Sequence, residues 1–545
     1  MRHFFQMVAL AVFLLSIAAQ GQNIYVAQAS AGGRNGVDCA DARDLGNLTA
    51  GDWAPGNTIH LCGTITSPTG SSGLVALGSG TSSQPITIKF EPGTILQSPY
   101  FGYNNGCSSL ATCLGGIEVY NRNYIVIDGG TNGIIQNTAN GTHLAYHTAS
   151  SGITLSGNNY IIRNLTIQNI YANDPTTGTD LFGLFTYDIV ALPGSYNLTV
   201  CNNTLNNAHS GIAEDTVGGA VPTYPLPSCA SNTFTSGTNL YGNTLNDHVW
   251  QINPMGSSTP VVNIFNNDMS GAANWIYTPN PSAYYHTDGV IAYGDAGAQL
   301  KVYLFNNLFH DTAFGTAAFY CTYGTTGSGC AAYVFNNIFE VDTAEANSST
   351  ALWLNGTAGY PLGPYYIYNN TFINNGYMLM LGGDNEAVTF ENNLVSEGVS
   401  GGNYFYTKQY GSNPLPSVLA AADYNSFYGG RGLSISGVGA YWCWPQTGGT
   451  PSTCGSSYNG PWVKSGFDTH SISSNSQIDA SYKLPPASPD LHAGTNLTFL
   501  CSVSGLGPLC FDKTGVARPP VGGWDIGALQ VQGPNPPIGV TGTVK

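Results

Sequence analysis

Apolar residues in the middle of this 545-residue chain come in short alternating runs, not in long helical faces. The runs are "GIEVY" (116), "GITLS" (152), "DIVAL" (188), "GIAED" (211), "VWQIN" (249), "GVIAY" (289), "AFYCT" (318) and "LWLN" (352). Within them Ile117/Val119, Ile153/Leu155, Ile189/Ala191, Trp250/Ile252 and Val290/Ala292 stand two apart. A period of two predicts strands with these side chains turned inward. A second pattern follows each run: "VCNNTLNN", "LYGNTLND", "IFNNDMSG", "LFNNLFHD", "VFNNIFEV", "IYNNTFIN", "FENNLVSE". Its second Asn falls at Asn203, Asn243, Asn267, Asn307, Asn337, Asn370 and Asn393, and Asn164 fits one repeat earlier. The intervals run from 23 to 40 residues, too irregular for a helical repeat and natural for a solenoid with variable loops.

Short strands, Gly-rich turns and an Asn at one recurrent place describe an all-β chain wound as a single-stranded parallel β-helix. Its coils stack about 4.8 Å apart, so like residues form ladders. Stacked Asn amides hydrogen-bond each other and turn backbone, which is a reason for Asn to recur there. The ladder covers roughly residues 85–430. Residues 23–84 are expected to form an N-terminal cap and the first coils, because a solenoid must cover its open ends. Residues 431–545 read as a Pro-rich, disulfide-bearing C-terminal tail.

Composition narrows the setting. "MRHFFQMVALAVFLLSIAAQGQ" (1–22) has a basic start, an apolar run and small residues, the pattern of a secretory signal peptide. No later stretch is long and apolar enough to span a membrane. Secretion, to the outside or to a periplasm or cell surface, is therefore expected. Only 8% of residues are charged, against about 25% in ordinary proteins. The net charge is −16, and between Arg163 and Lys408 the only cationic residue is Lys301. Nucleic acid is excluded as a partner, since phosphate binding needs clustered Lys and Arg. Twelve cysteines in a secreted chain read as disulfides between sequence neighbours: Cys39/Cys62, Cys107/Cys113, Cys201/Cys229, Cys321/Cys330, Cys443/Cys454 and Cys501/Cys510. None of them has zinc spacing.

With the Asn ladder and the alternating runs in view, the chain resembles the pectin-lyase-like superfamily of secreted right-handed β-helix proteins. In the tail, "YKLPPASPDLHAGTNLT" and "FDKTGVARPPVGGWDIGALQ" resemble a C-terminal module common on secreted bacterial β-helix proteins. That module usually ends in D-I-G-A-aromatic-E, where this chain has Leu529 and Gln530 at the last two places. The fold hosts lyases, hydrolases, adhesins and inert scaffolds, so the resemblance leaves function open.

Candidate chemistry gathers around residues 209–311. Val290 lies 17 residues before Asn307 and Trp250 lies 17 before Asn267. That registration stacks His248 beneath Asp288, Asn246 beneath His286 and Asp247 beneath Thr287, with His209 near Asp247. Asp288, Asp247, His248, His286 and Glu214 are the catalytic candidates. The insertions at 213–239 and 270–285 flank these coils, and the second carries Trp275, Tyr277, Tyr284 and Tyr285. Aromatic rings beside carboxylates suit sugars, so these four and His209 are the substrate-binding candidates. Two carboxylates on adjacent coils, roughly 5–9 Å apart, would match the acid and base of a glycoside hydrolase. The competing reading is structural: alternation carries the inward phase to Asp288 and His248, where a His–Asp pair simply closes a turn.

"HTDG" (286–289) resembles the N-T-D-G motif of polygalacturonases, but the D-D, G-H-G and R-I-K elements are absent. Uronic-acid lyases of this fold use an Arg or Lys base, often with calcium, and the central coils offer only Lys301. An acidic surface would repel an anionic polymer unless calcium offset it. The expectation is thus a carbohydrate-active protein that needs no cofactor, with calcium optional, acting on a polysaccharide or glycan surface. A scaffold or adhesin is the alternative and a calcium-assisted lyase the third reading. Oligomeric state is left open.

Overall fold

A computed structural model describes residues 21–103, 109, 112–172, 186–257, 260–271, 287–294, 298–310, 317–322, 329–341, 350–355, 363–382, 387–396, 404–408, 419–428, 431–435, 439–442, 467–472 and 475–531. Among the described residues thirty-three strands join in one continuous sheet, paired in parallel except for Arg431–Ile435 against Gly439–Trp442. Each coil supplies three strand positions, and stacking them gives three faces, here called A, B and C. In successive coils face A holds Asp288–Gly294, Ala317–Thr322 and Thr350–Leu354. Face B holds Leu300–Phe305, Cys330–Phe335 and Tyr365–Tyr368. Face C holds Leu308–His310, Ile338–Glu340 and Thr371–Ile373. Parallel pairing already begins with Asn23–Ala27 against Thr58–Cys62. The chain is therefore a right-handed parallel β-helix. Among the described residues no helix is long and apolar enough to cross a membrane.

The alternating runs do turn inward. Ile189, Ile212, Ile252, Val290, Phe319 and Leu352 pair in register one above another and are all fully buried. Face C meets them with stacked Phe309, Phe339 and Phe372, whose centroids lie 4.9 and 5.1 Å apart. Like side chains meet at coil spacing, so one apolar column runs the length of the solenoid.

The turn from face B to face C explains why Asn comes in pairs. The second Asn points inward. Asn203, Asn243, Asn267, Asn307, Asn337, Asn370 and Asn393 each donate Nδ2–H to the Oδ1 of the next, at 3.0–3.2 Å. Asn425 continues the ladder and donates to Asp468 of the tail at 3.0 Å. The first Asn is left-handed, with φ of 50–59° at Asn202, Asn266, Asn306, Asn336, Asn369 and Asn392, a conformation that Asn tolerates better than other L-residues. Asn164 belongs to this first column, with φ 58°, and Leu165 occupies the ladder position of its coil. Placing Asn164 in the ladder from sequence was one residue out, because that coil lacks the second Asn.

Face B carries an outward aromatic stack. Tyr241, Phe265, Phe305 and Phe335 lie 4.7–4.9 Å apart and within 7° of parallel. The tail folds back over them: Leu497, Leu506, Leu509 and Trp524 join Phe265, Phe305, Phe335 and Tyr368 in one buried cluster. Gly505, at φ +88°, brings its backbone against the Tyr303 ring, where a Cβ would stand 2.5 Å from the ring. In "DIGALQ" the Asp525 carboxylate accepts from the His492 and Val531 amides, at 2.8 and 2.7 Å. Gln530 accepts from Arg518 and from the Asp525 amide.

Four of the six expected disulfides join the pairs read from the sequence: Cys39–Cys62, Cys201–Cys229, Cys321–Cys330 and Cys501–Cys510. Cys113 is disulfide-bonded too, as expected, and its side chain is buried against Val190, Leu192 and Ala213. Its expected partner, Cys107, lies outside the described residues. Cys443 and Cys454, the remaining expected pair, also lie outside the described residues.

Candidate functional site

His248 does not stack beneath Asp288. The register pairs Trp250 with Asp288 and Ala208 with His248. Counting back from the Asn ladder failed because the connections differ in length. From Gly256 to Val261 is five residues, whereas from the paired Gly294 to Lys301 is seven. The two extra residues displace every face-A neighbour by two. Asp247 and Asp288 are then three positions out of register, about 10 Å or more between backbones, wider than the 5–9 Å anticipated.

His248 instead points into the corner between faces C and A. It is fully buried, with Nε2 2.8 Å from Asp188 Oδ2 and Nδ1 2.9 Å from Gln251 Oε1. Asp188 is two coils away, and Gly211 occupies the coil between. A Cβ on Gly211 would stand 3.3 Å from His248 Nε2 and 2.6 Å from the Gln251 carbonyl oxygen, so glycine clears the path for the pair. Other coils fill this corner with Gly116, Gly152, Gly289 or Ala318. Burial pushes the Asp188 carboxyl up to about 6, and His248 opposes that rise.

The other candidates divide by face. Glu214 lies in the inward column between Ala191 and Pro254. It accepts from the Thr238 hydroxyl at 3.1 Å, and burial holds its carboxyl well above the ordinary range. His209 sets its ring edge-on to Trp250 at 4.8 Å and contacts the Ser210 hydroxyl at 3.1 Å. Burial, with His248 nearby, drops its pKa to about 3, so it stays neutral at physiological pH. Asp247 is buried at the corner with φ +63°. Asp288 is fully buried between Trp250 and Ala317 and accepts from the Ala317 amide at 3.1 Å. Its inward phase, expected from alternation, is lost because Gly289 and Val290 both face the core and shift the count by one. Asp288 falls in the outer column. His286, Trp275, Tyr277, Tyr284 and Tyr285 lie outside the described residues. His310, on face C, pairs with Asp268 at 2.7 Å.

Sequence reasoning missed most of the outer side of face A. Trp250, Ile291, Tyr293, Tyr320 and Trp353 pack together outside the main core, with Tyr320 and Trp353 rings 4.8 Å apart. Two to three coils earlier, Tyr103 and Tyr187 pack 5.0 Å apart. Two coils before Tyr187 is Glu118, almost wholly buried, its Oε2 accepting from the Ser72 hydroxyl at 2.6 Å and its Oε1 without a partner. Burial pushes the Glu118 carboxyl up to about 7, against the lowering effect of Ser72. A lone Glu in an alternating run carries no signal that marks it. Only the loop fold-over that brings Ser72 beside it makes it unusual. Among the described residues no group of three or more His, Cys, Asp or Glu is placed to hold a metal ion. The residues described do not fit a calcium site, and no step below runs through one.

No family profile matches the chain, and no curated relative matches it in sequence. Solved structures do resemble it in shape. XylC, solved in complex with xylose, superposes with TM-score 0.50 at 9% identity, covering 94% of this chain and 98% of that one. Pectate lyase Pel9A gives TM-score 0.43 at 13% identity, covering 94% and 97%. The GH136 lacto-N-biosidase from Eubacterium ramulus gives 0.42 at 14%, covering 76% and 68%. The fold is that of the pectin-lyase-like β-helix proteins, and at these identities the likeness speaks for fold alone.

Proposed function

We propose that the chain is an extracellular polysaccharide-binding β-helix that cleaves its ligand on the outer side of face A by glycoside-hydrolase acid–base chemistry. The observation behind this reading is the company that one carboxyl keeps there. Asp288 adjoins Trp250 and the ring cluster of Tyr293, Tyr320 and Trp353. Glu118 lies five coils earlier, about 24 Å along the axis, outside the reach of an acid–base pair with Asp288. Sugar rings lay their apolar faces on such aromatic surfaces, and the near absence of cations in these coils favours an uncharged polymer. XylC, which shares the fold, was solved with a neutral sugar, xylose. The test is a panel of neutral and acidic polysaccharides, with and without calcium, run on wild type, Asp288→Asn and Glu118→Gln. Cleavage of a neutral polymer that falls by roughly a hundredfold or more in Asp288→Asn and not in Glu118→Gln supports the reading. Full activity in Asp288→Asn sinks it. Products with new ultraviolet absorbance would indicate a lyase instead.

The non-catalytic scaffold reading has its own observation: His248, Asp188 and Gln251 bond one another inside the solenoid. If no polymer on the panel is cleaved or bound, that reading stands.

A further inference from the structure

Face C, away from the proposed catalytic side, carries a second kind of ladder. Its outward residues are amides and hydroxyls that bond from coil to coil. Gln97 donates to Thr66 at 3.1 Å, Gln136 to Gln97 at 3.1 Å and Gln168 to Gln136 at 2.8 Å. Beyond these, Asn246 donates to Asn206 at 3.1 Å and Ser270 to Asn246 at 3.3 Å. Asn206 is the register neighbour of Gln168, so the column is continuous. All but Thr66, which is exposed, are half-buried; Gln97, Gln136, Gln168 and Asn246 each donate to a neighbour, and Gln97, Gln136, Asn206 and Asn246 each accept from one.

Beside this strip, where the chain turns from face C towards face A in the coils of Gln136, Gln168 and Asn206, a cleft of about 600 Å³ opens. That lies within the usual size of a small-ligand site, about 300–1,000 Å³. Gln136, Asn140, Asn169, Asn207 and Tyr171 are among its lining residues, and none of the lining side chains carries a charge. The Asn207 Oδ1 is buried there with no hydrogen-bond partner. An acceptor buried without a partner costs about 1–3 kcal/mol, so its presence calls for a ligand donor. Leu144, a lining residue, is 46% exposed, and beside the cleft Tyr146, 37% exposed, bridges to Asn140 through its backbone and sets its ring edge-on to Tyr100 at 5.0 Å.

We infer that this cleft and the amide strip form a second binding site, for an uncharged polysaccharide lying along the solenoid axis. The strip repeats once per coil, a step close to one extended sugar residue, so successive hydroxyl pairs would meet successive amides. The Asn207 Oδ1 accepts from a sugar hydroxyl in the cleft. Tyr146 and Leu144 cover an apolar sugar face at the rim. The lack of charge selects neutral over uronic polymers. This site is independent of the cleavage proposed for face A.

The experiment is affinity electrophoresis of the full chain in gels containing xylan, mixed-linkage glucan, galactomannan or polygalacturonate. Wild type, Asn207→Gly, Tyr146→Ala and Trp250→Ala are compared. Glycine keeps the left-handed backbone of residue 207, where φ is +70°. The expected result is retardation by a neutral polymer and not by polygalacturonate. Asn207→Gly weakens it about tenfold with no fall in the unfolding midpoint, because the residue's buried acceptor is unsatisfied in the free protein. Tyr146→Ala, on the surface, weakens it about threefold to tenfold. Trp250→Ala removes at most the share of the retardation that face A supplies, and in that background Asn207→Gly weakens the remainder by the same factor. The inference is overturned if no neutral polymer retards the wild type, or if both cleft variants bind as the wild type does. Loss in Trp250→Ala alone would overturn it too and assign the binding to face A.

Discussion

Faces B and C are wound from the same coils, yet their outer sides are treated in opposite ways. Face B presents stacked Tyr241, Phe265, Phe305 and Phe335, and the tail and the inserted loop share one buried cluster with them. Face C presents stacked Gln97, Gln136 and Gln168 and stays open along that strip. A solenoid repeats whatever its strands carry. An apolar column repeated over several coils becomes a continuous patch that water will not tolerate uncovered. A column of amides satisfies itself from coil to coil and still offers donors and acceptors to a ligand. Cover and exposure are thus decided column by column, not coil by coil.

The comparison can be broken most severely by removing the cover. Deleting residues 467–545 exposes Phe265, Phe305, Phe335 and Tyr368 and leaves Asn425 without Asp468. The truncated chain should accumulate as aggregate, and soluble monomer at wild-type yield would show that the tail is not the cover. Within the intact chain, Trp524→Ala should cost about 3–5 kcal/mol in denaturant unfolding, as expected for a fully buried indole. The inner ladder is nearly as demanding. Asn337 donates to Leu304 O, Phe335 O and Asn370, and accepts from Asn307, so Asn337→Ala should cost about 3 kcal/mol.

Face A provides an intermediate case, a polar group under cover with half its bonds unmade. The folded pKa of Glu118 is raised to about 7, above its ordinary value of 4.5. Between those values the folded state binds more protons than the unfolded one, so stability falls as pH rises through that window. The loss amounts to at most about 3 kcal/mol and is complete above pH 7. Glu118→Gln should flatten this slope and be more stable than wild type at pH 8. Equal slopes in the two proteins would refute the assignment. The smallest effect belongs to the open strip: Gln168→Ala on face C should cost less than about 1 kcal/mol, because water replaces the lost partner.

Much of the scaffold was readable from the chain because it depends on short-range repetition. Val290 and Ala292 announce an inward strand by alternation, and Asn307 or Asn337 a ladder by recurrence. The neighbours of His248 were not readable, because they depend on the length of a connection two turns away and on a glycine, Gly211, in a different coil. Asp188 sits in a run, "DIVAL", that reads as ordinary strand, and nothing near it in sequence signals a histidine sixty residues on. Glu118 and Asn207 escaped for the same reason: each is unusual only for what lies, or fails to lie, across from it in space. The face-C strip was visible as "IIQ", "TIQ" and "TLN", but as outward strand positions these look like plain solvated surface until the cleft beside them is seen.

The left-handed Asn column gives the molecule a measured length. Lys513 reaches the carbonyl oxygen of Asn306, while Asn336, Asn369 and Asn392 bond the tail at Phe511, Asp525 and Thr495. Tyr224 of the inserted loop stacks on Phe511, and Arg163 donates to the carbonyl oxygen of Cys229 in that loop. Phe234 of the same loop meets the Tyr124 ring at 5.3 Å, so the described coils from Tyr124 to Asn425 are strapped to one gauge. A coil added or removed within that span would need a tail of different reach.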